Sequence, residues 1–157
     1  MSRTVYIASD HAGFELKKTL TSFLNEKGCQ VIDMGPDSYD PEDDYPYYID
    51  KVAEVISTHP ERATGIIFGG SGQGEAMAAN RFPFVRAAVY YGGNKEIIEL
   101  AREHNNANIL SLGARFIKEE EAKEAVTLFL DGDFSGDDRH RRRLKEIEDF
   151  SKKIWLK

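Results

Sequence analysis

The stretch Ile66-Ile67-Phe68-Gly69-Gly70-Ser71-Gly72-Gln73-Gly74-Glu75-Ala76-Met77-Ala78-Ala79-Asn80 decides how the chain is read. An apolar run meets four glycines within six positions and leaves through helix-forming residues led by a carboxylate. Physically this is a buried strand, a turn whose backbone can approach a ligand closely, and a helix start. Such a turn aims several N–H groups at one point and suits an anion. The dinucleotide pattern G-x-G-x-x-G fits Gly70 and Gly72 but meets Glu75 where the third glycine belongs. The P-loop pattern fits Gly69 and Gly74, then meets Glu75 and Ala76 in place of Lys and Ser/Thr. A fixed negative charge there repels a triphosphate. The turn instead suits an anion that forms during a reaction, beside a carboxylate able to move a proton. The plainer alternative is a Gly-rich turn with Glu75 well placed in a first helical turn.

Working outward, short apolar runs recur between amphipathic stretches. Val5-Tyr6-Ile7-Ala8 reads as a strand that turns at Ser9-Asp10-His11, and Leu16, Leu20, Phe23 and Leu24 mark a helix face closed by Gly28. Val31-Ile32-Asp33 is a second strand, followed by an acidic loop from Ser38 to Asp44. Pro46 then fits the first turn of a helix carrying Ile49, Val52, Ala53 and Ile56. Ala87 to Tyr90 and Asn108 to Leu112 are further strands, each followed by a glycine turn and a helix. Five apolar strands alternating with helices predict one 1–157 domain, a three-layer, doubly wound, Rossmann-like α/β fold with a parallel sheet. The expected strand order is 2-1-3-4-5, which brings Ser9-Asp10-His11 and Gly69 to Glu75 together at the switch point. A last helix, about 138–155, opens Arg139-His140-Arg141-Arg142-Arg143 and carries Ile147, Phe150 and Ile154 on one stripe. A sheet already covered on both faces leaves that stripe for a second subunit.

Composition narrows the function. The 157 residues carry a net charge of −6, which weighs against a general nucleic-acid partner. The single cysteine, Cys29, excludes a disulfide framework and a cysteine metal cluster. No run approaches the roughly 18 apolar residues of a membrane span. Met1-Ser2-Arg3-Thr4 lacks a signal-peptide profile, so a cytoplasmic protein is expected.

Several side chains can carry chemistry, each with a plainer alternative. Asp10 can be an N-cap, or with His11 can face the glycine turn. His104 stands at a helix end, where histidines often cap carbonyls. Arg139 and Arg143 are four apart, on one helix face, able to grip a phosphate or simply to be solvated. Tyr45 can close a polar pocket or be core.

Six motifs then stand in one order: Asp10-His11-Ala12-Gly13, Asp44-Tyr45-Pro46, Gly70 to Glu75 with Ala78-Ala79-Asn80, Arg102 to Asn108, Leu112 to Arg115, and Arg139-His140 with Arg143. Together they closely resemble the ribose-5-phosphate isomerase B and galactose-6-phosphate isomerase family, over nearly the whole chain. The resemblance implies a cofactor-independent, metal-free interconversion of aldose and ketose phosphates through a cis-enediolate. It implies Glu75 as the base, this chain having Gly69 where the family's other branch has a catalytic cysteine. It implies His104, assisted by Asp10, for opening the sugar ring. Asn105 and the backbone of Gly70, Ser71, Gly72, Gln73 and Gly74 match the groups that hold the enediolate. His11, Arg115, Arg139 and Arg143 match substrate and phosphate contacts, Tyr45 also lines the site, and Ser71 counts with Glu75, His104 and Asp10 among the catalytic residues. Ribose 5-phosphate is the expected substrate, with six-carbon or four-carbon phosphates and a non-catalytic sugar-phosphate module as alternatives. Because the helix before strand five runs back toward the far sheet edge, His104 is expected to serve a neighbouring subunit's Glu75. A homodimer follows, with no nucleic-acid or membrane partner.

Overall fold

The computed structural model describes residues 3–155. Met1, Ser2, Leu156 and Lys157, the ends of the expected domain, lie outside the described residues. The elements in order are β1 (Thr4–Ser9), α1 (Phe14–Glu26), β2 (Gln30–Asp33), α2 (Tyr45–Thr58), β3 (Thr64–Gly69), α3 (Gln73–Ala79), β4 (Ala87–Tyr90), α4 (Glu96–Glu103), β5 (Ile109–Gly113), α5 (Glu119–Asp131) and α6 (Asp138–Trp155). All five strands pair in parallel, as expected of strands joined by helical crossovers.

Strand alternation sorts side chains to two faces. Val5, Ile7, Ile66, Phe68, Leu110 and Leu112 pack with Leu20 and Leu24 of α1, Ile98 of α4 and Phe129 of α5. On the other face Ala8, Ile67 and Ile109 meet Ile49, Val52, Ala53 and Ile56 of α2. All four of these α2 residues are fully buried, which is the helix face that their spacing predicts. Truncating one of these buried Leu or Ile side chains to Ala typically costs about 2–5 kcal/mol.

The expected order of the last two strands is corrected. The sheet runs β2-β1-β3-β5-β4, so β5 is inserted beside β3 and β4 forms the edge. Burial explains the exchange: β5 is buried along its whole length, whereas most of Ala87–Tyr90 is only half-buried. The edge is capped by Asn80, whose side chain donates to the Ala87 carbonyl (3.0 Å) and accepts from the Ala87 N–H (2.8 Å). One amide thus does for the edge strand what a neighbouring strand would do.

Helix α6 lies at the sheet edge where β3, β4 and β5 begin. The ring Nδ1–H of His140 donates to the His104 carbonyl at 3.0 Å, and the Ser135 N–H donates to Glu103. Leu144, Ile147 and Ser151 line a cavity of about 300 Å³ against Phe82, Phe84 and Arg86. Phe150 stays 65% exposed, and Ile147 and Ile154 are exposed beside it.

Candidate active site

The carboxyl-terminal ends of β1, β3 and β5 carry the glycine turn and its neighbours. Gly69 pairs with Gly113, the Ala114 N–H donates to the Gly69 carbonyl (2.8 Å), and the Arg115 N–H donates to the Gly70 carbonyl (3.1 Å). The corrected strand order therefore delivers Arg115, whose guanidinium would lie 3.3 Å from a Cβ at Gly70. The turn needs glycine at position 72, where φ is +76°. Its carbonyl accepts a 2.6 Å hydrogen bond from the Ser111 hydroxyl, which fixes the turn from inside the sheet. The Ser71 hydroxyl accepts from the Gln73 N–H at 3.3 Å, and the tip of the Tyr45 ring stands where a side chain at Gly74 would begin.

Glu75 is 4% exposed, in the first turn of α3. Burial pushes its carboxyl above the ordinary value of 4.5; its own backbone N–H opposes that shift and the nearby Asp10 charge adds to it. A carboxylate short of water and raised in pKa is a competent general base. Asp10 is itself buried, and its Oδ1 accepts from the Gly13 N–H at 3.0 Å, bracing the turn ahead of α1; the N-cap of α1 is Gly13, so the capping alternative for Asp10 is corrected. His11 stands on the same edge, its ring 2.7 Å from Asp43.

Four of the expected residues are elsewhere. His104 and Asn105 end α4 and lead to Asn108, whose carbonyl accepts from the Gly65 N–H at the start of β3. Glu75 stands at the other end of that strand, against Gly69. The steps from Thr64 to Gly69, at roughly 3.3 Å per residue, place the two groups about 16 Å apart along the sheet. Arg139 is with His104: its Nε–H donates to His140 Nε2 at 2.8 Å, and the His140 and His104 rings are 4.3 Å apart in a T-shaped contact. Arg143 is exposed one turn further along α6.

Sequence reasoning missed Ser111, Asp43 and His140 as supports. Ser111 gave a signal, since one hydroxyl inside an apolar strand requires a partner. Asp43 gave none, lying in a run of acidic loop residues. Among the described residues no group of three or more His, Cys, Asp or Glu side chains is arranged to hold a metal, and no helix is long and apolar enough to cross a membrane.

A parallel α/β sheet that carries a desolvated carboxylate beside a glycine-rich turn has the parts that an enzyme of proton transfer needs. The sequence profile of the Ribose/Galactose Isomerase family matches residues 5–147, and the chain belongs to that family. It is 40% identical over 148 residues to ribose-5-phosphate isomerase B of Mycolicibacterium paratuberculosis, covering 94% of this chain and 91% of the relative. It superposes with a TM-score of 0.91 and 39% identity on ribose-5-phosphate isomerase B of Mycoplasma genitalium with bound ribulose-5-phosphate, covering 97% and 98% of the two chains. The enzyme from Thermotoga maritima gives 0.87 and 42%, over 95% and 99%. The chain is accordingly an isomerase of aldose and ketose phosphates, of the ribose-5-phosphate isomerase B type.

Proposed function

We propose that the chain interconverts ribose 5-phosphate and ribulose 5-phosphate, with Glu75 as the base. The observation that carries this reading is the buried Glu75 carboxyl, raised in pKa and packed against Gly69 at the start of the glycine turn. The carboxylate takes the proton from carbon 2, and the C–H electron pair moves into the carbon 1 carbonyl to give a cis-enediolate. The acid form of Glu75 then returns the proton to carbon 1, while the proton of the carbon 2 hydroxyl passes to the carbon 1 oxygen and carbon 2 becomes the carbonyl. Negative charge develops on the enediolate oxygens, where preorganised backbone donors stabilise it best. His11 and Arg115 are at the same sheet edge; Arg115 is assigned to the phosphate end and His11 to a substrate hydroxyl.

His104 is assigned to ring opening with Asp10, and Asn105 to an enediolate oxygen, both across a subunit boundary. Supporting this is the separation of His104, Asn105, Arg139 and Arg143 from Glu75 by the length of β3. In a homodimer each site takes Glu75 from one chain and His104 from the other, and the exposed stripe of α6 serves the interface. The whole chain, 1–157, then acts as one catalytic unit, in the cytoplasm, where a free thiol at Cys29 and a phosphorylated sugar are at home.

Isomerisation in D₂O tests the reading. Deuterium entering ribose 5-phosphate at carbon 2 or ribulose 5-phosphate at carbon 1, abolished by Glu75→Gln, supports it. Turnover without solvent exchange in the Glu75→Gln variant overturns it. Dialysis against a chelator is expected to leave the rate unchanged, and a panel of four- to six-carbon aldose phosphates fixes the chain length accepted.

A further inference from the structure

The loop between β2 and α2 reaches back over the candidate site and takes hold of one side chain. A single oxygen of Asp43, Oδ1, lies 2.7 Å from the His11 ring Nδ1 and 3.0 Å from the His11 backbone N–H. The Asp43 side chain is 3% exposed, and the His11 side chain 26%. Tyr39, from the same loop, meets the His11 ring edge to face at 6.4 Å. The loop is itself pinned at its start. The buried Lys17 ammonium donates to Asp33 Oδ1 at 2.7 Å and to the Pro36 carbonyl at 2.8 Å. At its end, the Asp43 N–H donates to the Asp40 carbonyl in a tight turn.

A carboxylate oxygen can only accept, so the neutral imidazole must carry its proton on Nδ1 to bond with it. Nε2 is then left without a proton of its own and is free of Asp43. Because the same oxygen also takes the His11 backbone N–H, the ring plane is tied to the backbone at the end of β1. The second oxygen, Oδ2, is buried without a hydrogen-bond partner among the described residues.

We propose that Asp43 is a positioning residue for His11. It sets the Nδ1-protonated tautomer and the ring orientation in which the Nε2 lone pair accepts a hydrogen bond from a hydroxyl of the substrate. The proposal rests on the reading of His11 as a substrate contact. Asp43 touches no substrate and acts only through the imidazole.

The test joins a spectroscopic readout to a double-mutant cycle. Long-range ¹H–¹⁵N spectra of the labelled enzyme, with the His11 signal assigned by its loss in His11→Gln, are expected to show Nδ1–H at alkaline pH. Asp43→Ala is expected to move that signal toward Nε2–H, while Asp43→Asn, which keeps an acceptor oxygen, retains Nδ1–H. For ribose 5-phosphate, Asp43→Ala is expected to raise KM roughly tenfold with kcat changed less than about threefold. Adding Asp43→Ala to His11→Ala is expected to change nothing further, because the two act through one contact. An Nε2–H tautomer in the wild type, a tautomer indifferent to Asp43→Ala, or KM effects that multiply in the double variant overturn the proposal. If His11→Ala leaves KM unchanged while the tautomer still follows Asp43, the substrate-contact reading of His11 fails and the positioning of the ring stands.

Discussion

The carboxyl group of Glu75 fills the space that a side chain at Gly69 would need. A Cβ at position 69 would lie 2.0 Å from both the Glu75 Cδ and Oε1. A side chain at position 69 and the Glu75 carboxyl therefore compete for one place. The clash is with the end of a flexible side chain, so Gly69→Ala is expected to fold with a near-wild-type melting temperature and to expel the carboxyl. Its kcat should fall at least about 10²-fold, as for loss of a general base. Measuring kcat with thermal unfolding checks this: full activity in a folded Gly69→Ala enzyme would separate Glu75 from the chemistry.

Glu75→Gln carries two opposed consequences. Without a base, kcat is expected to drop roughly 10²–10⁴-fold with KM little changed. Stability moves the other way. Burial raises the folded-state pKa of Glu75 above 4.5, so the folded state favours the protonated form. That advantage is complete at pH below the unfolded value and is lost as pH rises through the folded one. The uncharged Gln escapes this loss, so the variant should melt higher than wild type at pH 7.5. The difference should close as pH falls toward 4.5, and melting curves across that range decide it. The same titration predicts that wild-type kcat falls on the acid side at a pH above the ordinary glutamate value of 4.5.

The separation of His104 from Glu75 by the length of β3 makes complementation the sharpest check of a shared site. Glu75→Gln and His104→Ala chains, each nearly inactive, are mixed under denaturant and refolded. Half of randomly paired dimers are mixed, and one of their two sites is intact, so about a quarter of wild-type activity is expected. Inactive heterodimers, verified by native mass spectrometry, would place both residues in one chain's site.

Phe150 is 65% exposed on α6. On a free surface, Phe150→Asp should alter stability by no more than about 0.5 kcal/mol. At a dimer interface it buries an unpaired charge instead, and sedimentation is expected to show monomers that keep native circular dichroism and lose activity. A dimer of unchanged dissociation constant would move the interface off this stripe.

Arg143 shares a face of α6 with Arg139, which is held by His140. If both grip the phosphate across the interface, Arg143→Ala raises KM and weakens competition by inorganic phosphate in parallel, with kcat less affected. Unchanged values for both would leave Arg143 as a solvated surface residue.

Much of this was legible along the chain because its physics is local. The period-two burial of Val5 and Ile7, the α2 face from Ile49 to Ile56, and the glycines ahead of Glu75 each follow from steric and hydrophobic rules acting over a few residues. The direction of each helix between parallel strands by itself separates His104 from Glu75 along the sheet. Strand order was not legible. Ala87–Tyr90 and Ile109–Gly113 are both short apolar runs, and which of them lies beside β3 depends on the burial available in the assembled sheet. That choice brought Arg115, rather than the Gly92-Gly93 turn, to the glycine loop. The grip of Asp43 on His11 lay equally beyond sequence reading. The two are 32 residues apart, and a hydrogen bond between them exists only once the loop from β2, pinned by Lys17, has folded back across the end of β1.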